Sequence, residues 1–395
     1  MKFIKNIHKV EKIRFILFTS FLFFSAIFCG YTKVNNLLHA SIILFIITLI
    51  AQPESRRLFY INDGRKKGFI LVGIFLLYFT ISNLWSSNPL NIESSLTHSF
   101  YIIMFLGMMV SILDSNNRTI LIYVCVAGLF CLCLYCLTFE YHSISQMRRV
   151  SHQFPGPENV IDVSGYAAIG VLLSLISFRD KKNKIVLLTI PVFLMVLIIS
   201  QSRGPIIALL VPLLITIPFR KITRKHAVLS VAIIIMLIGG LFYSTLGEKI
   251  VFRFGELSTQ IFLRLSIWAH TLGLVYNSPI FGHGFEYHLE FTNYSGEHIR
   301  TTHSVYFGAL LKGGAVGLLL LLMMLAYGLK TLIKEAKEGH RLELCLFLFM
   351  MIFYLSQGLF VISNPTEYWY LFWFPLAFGL VGRRKDATRE ITKPL

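Results

Sequence analysis

Three side chains in the second half of this sequence are of the types that bind and transfer phosphorylated groups. Arg203 lies in the segment Gln-Ser-Arg-Gly, Arg264 lies four residues before Trp268, and His303 lies where a long polar segment meets an apolar run. A guanidinium is permanently charged and can hold a phosphate or diphosphate through two parallel hydrogen bonds. A neutral imidazole can accept a proton from a sugar hydroxyl near neutral pH.

Each of these residues also has a structural interpretation, which the sequence leaves open. Arg203 and Arg264 can contact lipid headgroups at a membrane surface, and His303 can be a hydrogen-bonding residue at the water–lipid boundary. Four glycines follow His303 and would admit either a neighbouring helix or a lipid chain: Gly308, Gly313, Gly314 and Gly317. Lys312 lies among them and is either a site residue or a side chain that reaches the membrane surface.

The elements that must position these residues are membrane-spanning helices. Of 395 residues, 55% are hydrophobic and 14% are charged, and the apolar residues form long runs. The net charge is +17, but Lys and Arg occur in short clusters between those runs, so the composition does not indicate a nucleic-acid-binding protein. All six cysteines lie in or beside apolar runs without paired CxxC spacing, which predicts packing residues.

Hydropathy predicts an all-α polytopic membrane protein with about twelve transmembrane helices in a single membrane domain, residues 1–395. The first apolar run has no cleavage site followed by a soluble domain, so we interpret it as an uncleaved span. The predicted spans are 15–31, 37–51, 68–84, 99–113, 119–137, 161–178, 185–200, 206–219, 227–244, 304–327, 342–363 and 369–381.

The distribution of basic residues predicts the orientation. With both termini in the cytoplasm, 28 of the 37 Lys and Arg residues lie on the cytoplasmic side, as the positive-inside rule requires. The nine others, placed outside or in an outward-leaning helix, are Lys33, Arg148, Arg149, Arg203, Lys249, Arg253, Arg264, Arg300 and Lys312. The few cations that stay outside are therefore the first candidates for a site.

The largest outside segment is residues 245–303, between the ninth and tenth spans, and we expect it to carry part of the site. Within it, Ile261, Leu265 and Trp268 begin a three- and four-residue spacing that predicts an amphipathic helix along the membrane surface. Pro279 would end that helix. The histidines and acids nearby have no HExxH or DxD spacing, so neither a metal nor another cofactor is predicted.

The spacing after His303 is similar to a known signature. His303 and Ser304, nine further residues, and then Gly314-Ala315-Val316-Gly317 resemble the H-[NSQ]-x9-G-x-x-G pattern of bacterial O-antigen ligases. Arg264 and Trp268, followed by the segment SPIFGHG at 278–284, resemble the R-x3-W…P-x-x-G-x-G stretch shared by O-antigen ligases and related polymerases.

Residues 201–204 resemble the arginine turn of the same superfamily, so the motifs together cover about residues 195–325. The resemblance implies a membrane glycosyltransferase of the GT-C type that works on the periplasmic face of the bacterial inner membrane. It implies metal-independent, inverting transfer of O-polysaccharide from undecaprenyl diphosphate to the lipid A–core oligosaccharide. Arg203 and Arg264 would hold the diphosphate, His303 would be the general base, and Gly314 and Gly317 would contact substrate.

Other functions remain open at this stage. An O-antigen polymerase would use the same donor with another lipid-linked glycan as acceptor, although the histidine signature favours a ligase. A protein O-oligosaccharyltransferase usually carries an additional soluble region after the last span. A transporter or lipid flippase would show paired repeats and charges buried in the middle of spans, and a structural scaffold would leave the outside arginines unexplained.

Overall fold

The computed structural model describes residues 2–86, 91–146, 155–216, 255, 257–293, 296–358 and 360–382. This part of the chain is helical apart from loops and one small antiparallel hairpin, in which strands β1 (Phe291–Thr292) and β2 (His298–Ile299) pair. The predicted all-α polytopic fold class is confirmed.

Thirteen described helices follow one another along the chain. They are α1 (Lys2–Ile27), α2 (Thr32–Ala51), α3 (Asp63–Ile81), α4 (Ile92–Leu113), α5 (Arg118–Phe139), α6 (Tyr141–Ser145), α7 (Val160–Lys181), α8 (Ile190–Ile199), α9 (Arg203–Thr216), α10 (Leu257–Tyr276), α11 (Val305–Lys337), α12 (Arg341–Phe353) and α13 (Phe374–Val381). A π-helical turn, Trp369–Trp373, leads into α13.

Six of these helices, within the described ranges, are long and apolar enough to cross a membrane: α2, α3 with its extension to Trp85, α4, α5, α7 and α11. Shorter apolar helices cover Lys184–Ile199, Arg203–Thr216 and Trp369–Val381. The predicted span at 227–244 lies outside the described residues, so the count of twelve stays a prediction.

Helix α7 is the centre of the bundle. In its most apolar window 89% of the residues are buried, against 33–56% in the other candidate spans. Small residues make this possible: Gly165 lies against Leu371 and Phe353, and Gly170 lies against the ring of Phe193. Because lipid tails are as apolar as the side chains, helices in a membrane gain most from such close backbone approach.

Two predicted spans differ in the structure. The sequence predicts an uninterrupted span at 304–327, but α11 is broken at Gly314, which has φ +61° and ψ −160°. Residues 342–363 are predicted as one span, whereas α12 ends at Phe353 and a loop follows. Hydropathy reports only that a segment is apolar, so it misses irregular backbone that is surrounded by protein.

The loop after α10 fills the break in α11. On one side of Gly314, the amides of Ala315 and Val316 donate to the carbonyls of Pro279 and Ile280, at 2.8 and 3.1 Å. On the other side, the amides of His283 and Gly284 donate to Leu311 and Lys312, at 3.0 and 2.9 Å. Residues 279–284 thereby satisfy backbone groups that the helix can no longer pair within itself.

The two glycines at this crossing allow the backbones to touch. A Cβ on Gly282 would lie 2.4 Å from the amide nitrogen of Gly314, and a Cβ on Gly314 would lie 2.4 Å from the carbonyl oxygen of Ile280. Both residues also have positive φ, which a residue with a side chain rarely adopts. The PxxGxG and GxxG segments of the sequence are thus two halves of one backbone contact.

A buried ion-pair network joins one end each of α5, α7 and α12. The guanidiniums of Arg118 and Arg179 both donate to the carboxylate of Glu343. The two nitrogens Nη1 and Nη2 of Arg179 lie 2.5 and 2.6 Å from its oxygens. Only 2% of the Glu343 side chain is exposed. The network ties the start of α5, the end of α7 and the start of α12 together.

We predict that Gly314→Ala destabilises the protein. The left-handed backbone alone costs a residue with a side chain about 1–3 kcal/mol, and the clash with Ile280 adds to that cost. Thermal unfolding of the purified protein in detergent measures the loss. The matched control is Gly273→Ala in α10, where a Cβ would meet nothing within 4 Å. Equal melting temperatures for the two variants would contradict the close contact of Gly314 with the loop 279–284.

We also predict that Glu343→Gln lowers the free energy of unfolding by about 3 kcal/mol, because removing one member of a buried ion pair leaves charge uncompensated. The same thermal assay measures it. The control is Glu338→Gln, an exposed carboxylate just before α12. A Glu343→Gln protein as stable as this control would show that the network contributes nothing.

Candidate functional site

Two neighbouring cavities hold the three residues singled out in the sequence. The first, here called the basic cavity, has a volume of about 700 Å³ and contains Arg203 at the start of α9 and Arg264 on α10. The second, here called the acidic cavity, has a volume of about 880 Å³ and contains His303. Gln357, in the loop after α12, lines both. The structure therefore brings the two arginines into one cavity and places His303 in the adjoining one.

The positive charges of Arg203 and Arg264 are close enough to affect each other. Arg264 is half-buried, and its burial together with the positive charge of Arg203 lowers its pKa. Two like charges that share a cavity repel each other until an anion enters. Glu297 also lines this cavity and offsets part of the charge. The arrangement suits an anion with several oxygens, because each guanidinium can donate two hydrogen bonds to it.

The walls of the basic cavity are largely apolar on the other sides. Ile207, Ile261 and Leu355 line it and are themselves 45–52% exposed, and Phe353 completes this surface. Exposed branched residues beside a pair of guanidiniums make the cavity amphipathic.

The backbone is strained at two motif positions. Of the described non-glycine residues, Lys182, Gln201 and His303 have positive φ, and for Lys182 the reason is its place at the end of α7. Gln201 has φ +52° and His303 has φ +49°. Strained conformations persist only where the surroundings hold them, and they concentrate at functional sites.

Trp268 holds the backbone beside His303. Its indole nitrogen donates to the carbonyl of Thr302 at 3.0 Å, and its ring stacks on Phe307 with centroids 4.9 Å apart and planes 9° apart. The hydroxyl of Thr302 in turn donates to the carbonyl of Ser304 at 2.7 Å. The tryptophan of the R-x3-W stretch thus couples α10, which carries Arg264, to the start of α11.

Gly314 and Gly317 lie elsewhere. Neither lines the basic or the acidic cavity. Gly314 contacts Ile280 and Gly282, and Gly317 lies against Phe79. Their placement favours the packing interpretation over the predicted substrate contact, because protein atoms already occupy the space that a substrate would need.

Lys312 also has a structural position. Its ammonium donates to the carbonyl of Tyr287 at 2.8 Å and to that of Phe285, and it lies over the Phe285 ring. The side chain therefore fastens the loop after α10 onto α11.

The acidic cavity is also lined by three residues that the sequence motifs do not single out, Asp162, Gln357 and Glu367. Asp162 begins an apolar helix, and Glu367 ends a short polar segment before another. An acid at the end of an apolar run is the signal that could have found them, but it does not reveal which helix ends meet. In the described part of the chain no group of three His, Cys, Asp or Glu residues is arranged to hold a metal ion.

The fold and these cavities define the chain as a polytopic all-α membrane protein with paired basic and acidic cavities at one set of helix ends. Residues 185–322 match the family model described as O-antigen ligase. The chain is 28% identical over 182 residues to a protein of Pseudomonas aeruginosa (strain PAO1) described as O-antigen ligase. That match spans 46% of this chain and 43% of the relative. The family model covers the residues that carry the motifs, and both similarities agree with the resemblance to O-antigen ligases that those motifs predict.

We predict that Trp268→Phe loosens the backbone at His303 while leaving the fold intact. Phenylalanine keeps the stack on Phe307 but cannot donate to Thr302, and one such bond is worth about 1 kcal/mol. Amide hydrogen exchange at residues 301–305 should accelerate about fivefold. The control is Trp85→Phe, whose ring lies 6.3 Å from that of Phe281 at the other end of the loop. Unchanged exchange in Trp268→Phe would contradict the assigned role.

Proposed function

We propose that this chain is an O-antigen ligase, which transfers O-polysaccharide from undecaprenyl diphosphate to the lipid A–core oligosaccharide in lipopolysaccharide assembly. The observation that carries the proposal is the meeting of Arg203 and Arg264 in one amphipathic cavity beside the cavity of His303. The family match supports it, since it covers all three motifs up to residue 322.

The donor would occupy the basic cavity. Its diphosphate would bind between Arg203 and Arg264, and its polyprenyl chain would lie along Ile207, Ile261 and Leu355 toward the lipid. The guanidiniums would stabilise the negative charge that grows on the diphosphate as it leaves, which is why two fixed cations serve this reaction without a metal.

The transfer would be a single inverting displacement. A hydroxyl oxygen of the acceptor attacks the anomeric carbon of the donor sugar and forms the new glycosidic bond. The bond from that carbon to the diphosphate oxygen breaks, and its electron pair leaves with undecaprenyl diphosphate. His303 takes the proton of the attacking hydroxyl and later releases it to water.

The site would lie on the periplasmic face of the inner membrane, with both termini in the cytoplasm. The basic clusters between spans support this orientation through the positive-inside rule. The exposed apolar residues Phe262, Leu265 and Leu272 on α10 support its placement along the membrane surface.

We predict that His303→Ala, Arg203→Ala and Arg264→Ala each reduce transfer at least about a hundredfold, because general bases and charge-stabilising donors contribute factors of about this size or more. The assay is transfer from lipid-linked polysaccharide to purified lipid A–core by the purified protein, with and without EDTA. EDTA should have no effect. The controls are Arg300→Ala and His298→Ala, both exposed and outside the two cavities.

Retained transfer in the His303→Ala variant would remove the proposed base. Loss of transfer in EDTA would remove the metal-independent mechanism. If the protein extends free lipid-linked repeats and leaves lipid A–core unmodified, it is a polymerase and the ligase proposal is wrong.

A further inference from the structure

The residues just before Arg203 form a buried turn between α8 and α9. Ser200, Gln201 and Ser202 are 0%, 7% and 3% exposed. Arg203 begins α9 directly after them. Connecting segments usually run over the surface, because a buried turn must find partners for its polar groups. The contacts of this turn therefore decide where the side chain of Arg203 begins.

Serine hydroxyls hold the first half of the turn against α7. The Ser164 hydroxyl donates to the Ser200 hydroxyl at 2.6 Å, and the Ser200 hydroxyl donates to the carbonyl of Leu197 at 2.9 Å. Ser164 is fully buried and lies in α7, the central helix. The turn is thereby tied to the centre of the bundle.

The side chain of Gln201 holds the second half of the turn. Its amide nitrogen donates to the carbonyl of Ser145 at 2.8 Å. Ser145 is the last residue of α6, where a carbonyl has no donor further along its own helix. The hydrogen bond lies inside the protein, since Ser145 is itself buried. Gln201 thus links the turn before α9 to the end of α6.

The residue type at position 201 indicates that its side chain is needed. Gln201 has a left-handed backbone, with φ +52°. Glycine adopts that conformation at much lower cost than glutamine, and asparagine also tolerates it better. A glutamine is explained by what those residues cannot provide, a long amide that reaches the carbonyl of Ser145.

We propose that Gln201 is a positioning residue: its amide, held by the carbonyl of Ser145, fixes the turn from which Arg203 reaches the donor diphosphate. This inference rests on the proposed function. Gln201 lines the basic cavity beside Arg203, but its amide is directed to Ser145. It therefore acts through Arg203 and is not itself a catalytic residue.

Arg203 needs a fixed backbone because its charge and that of Arg264 repel each other. Burial and the positive charge of Arg203 both lower the pKa of Arg264. On a loose turn Arg203 would move away from Arg264, and the free energy of bringing it back would weaken donor binding. A tether on the turn keeps both guanidiniums in one cavity before the diphosphate arrives.

The experiment measures binding of undecaprenyl diphosphate to the purified full chain in detergent. Gln201→Met keeps the length of the side chain but removes the donor to Ser145, whereas Gln201→Gly removes the donor and also relieves the left-handed backbone. The matched control is Gln146→Met, an exposed glutamine next to Ser145 whose amide is hydrogen-bonded to His142.

We expect Gln201→Met and Gln201→Gly each to raise the Kd for undecaprenyl diphosphate about tenfold, the effect of one lost hydrogen bond. Gln146→Met should leave the Kd unchanged. In the transfer assay the KM for the lipid-linked donor should rise while the KM for lipid A–core stays the same. A general structural defect would change both constants.

A double variant tests whether Gln201 acts through Arg203. We expect the Kd of Arg203→Ala combined with Gln201→Met to lie within about twofold of that of Arg203→Ala alone, because the tether then has no guanidinium to position. A further loss of about tenfold in the double variant would overturn the assignment, since Gln201 would then contribute independently of Arg203.

The binding and transfer measurements separate this inference from the ligase proposal. Binding that Gln201→Met weakens, without transfer to lipid A–core by wild type, would overturn the ligase proposal and support the positioning role. An unchanged Kd in both Gln201 variants would overturn the positioning role and leave the ligase proposal intact. A wild-type protein that does not bind undecaprenyl diphosphate would overturn both.

Discussion

The backbone crossing at Gly314 is the contact on which the site depends. A helix interrupted within a membrane protein leaves amides and carbonyls that lipid cannot satisfy, so another part of the chain must pair with them. Residues 279–284 do so, and the Lys312 ammonium fastens the same loop. Because this loop follows α10 directly, the crossing sets where α10 lies against α11 and hence where Arg264 lies relative to the start of α11.

Trp268 links the position of α10 to the backbone beside His303. The indole joins α10 to the carbonyl of Thr302, and His303 follows with a left-handed backbone that no isolated chain would favour. Strain at His303 and at Gln201, two residues before Arg203, is maintained by buried neighbours. The segments that carry Arg264 and His303 are therefore held in place by backbone contacts, which are costly to break where lipid cannot replace them.

Charge is distributed differently at the two sets of helix ends. Around Glu343 the arginines are neutralised by a buried carboxylate, which joins helices. Around Arg203 and Arg264 the cations lie in a cavity, and the carboxyl groups of Asp162 and Glu367 lie in the next one. The guanidiniums of Arg203 and Arg264 line a cavity that can admit a ligand, whereas the arginines around Glu343 are in direct contact with a buried carboxylate and join helices.

The sequence by itself determined the fold class and the approximate position of most described helices, and it predicted the resemblance to O-antigen ligases and the three residues of the proposed site. Long apolar runs, sparse outside cations and spaced motifs are local properties that composition and order express directly. The tertiary structure decided that Gly314 breaks a helix, that Gly314 and Gly317 contact protein, and that Asp162, Gln357 and Glu367 line the same cavity as His303. These outcomes depend on which distant backbones touch and which helix ends converge, and neither is expressed in the hydropathy or spacing of any one segment.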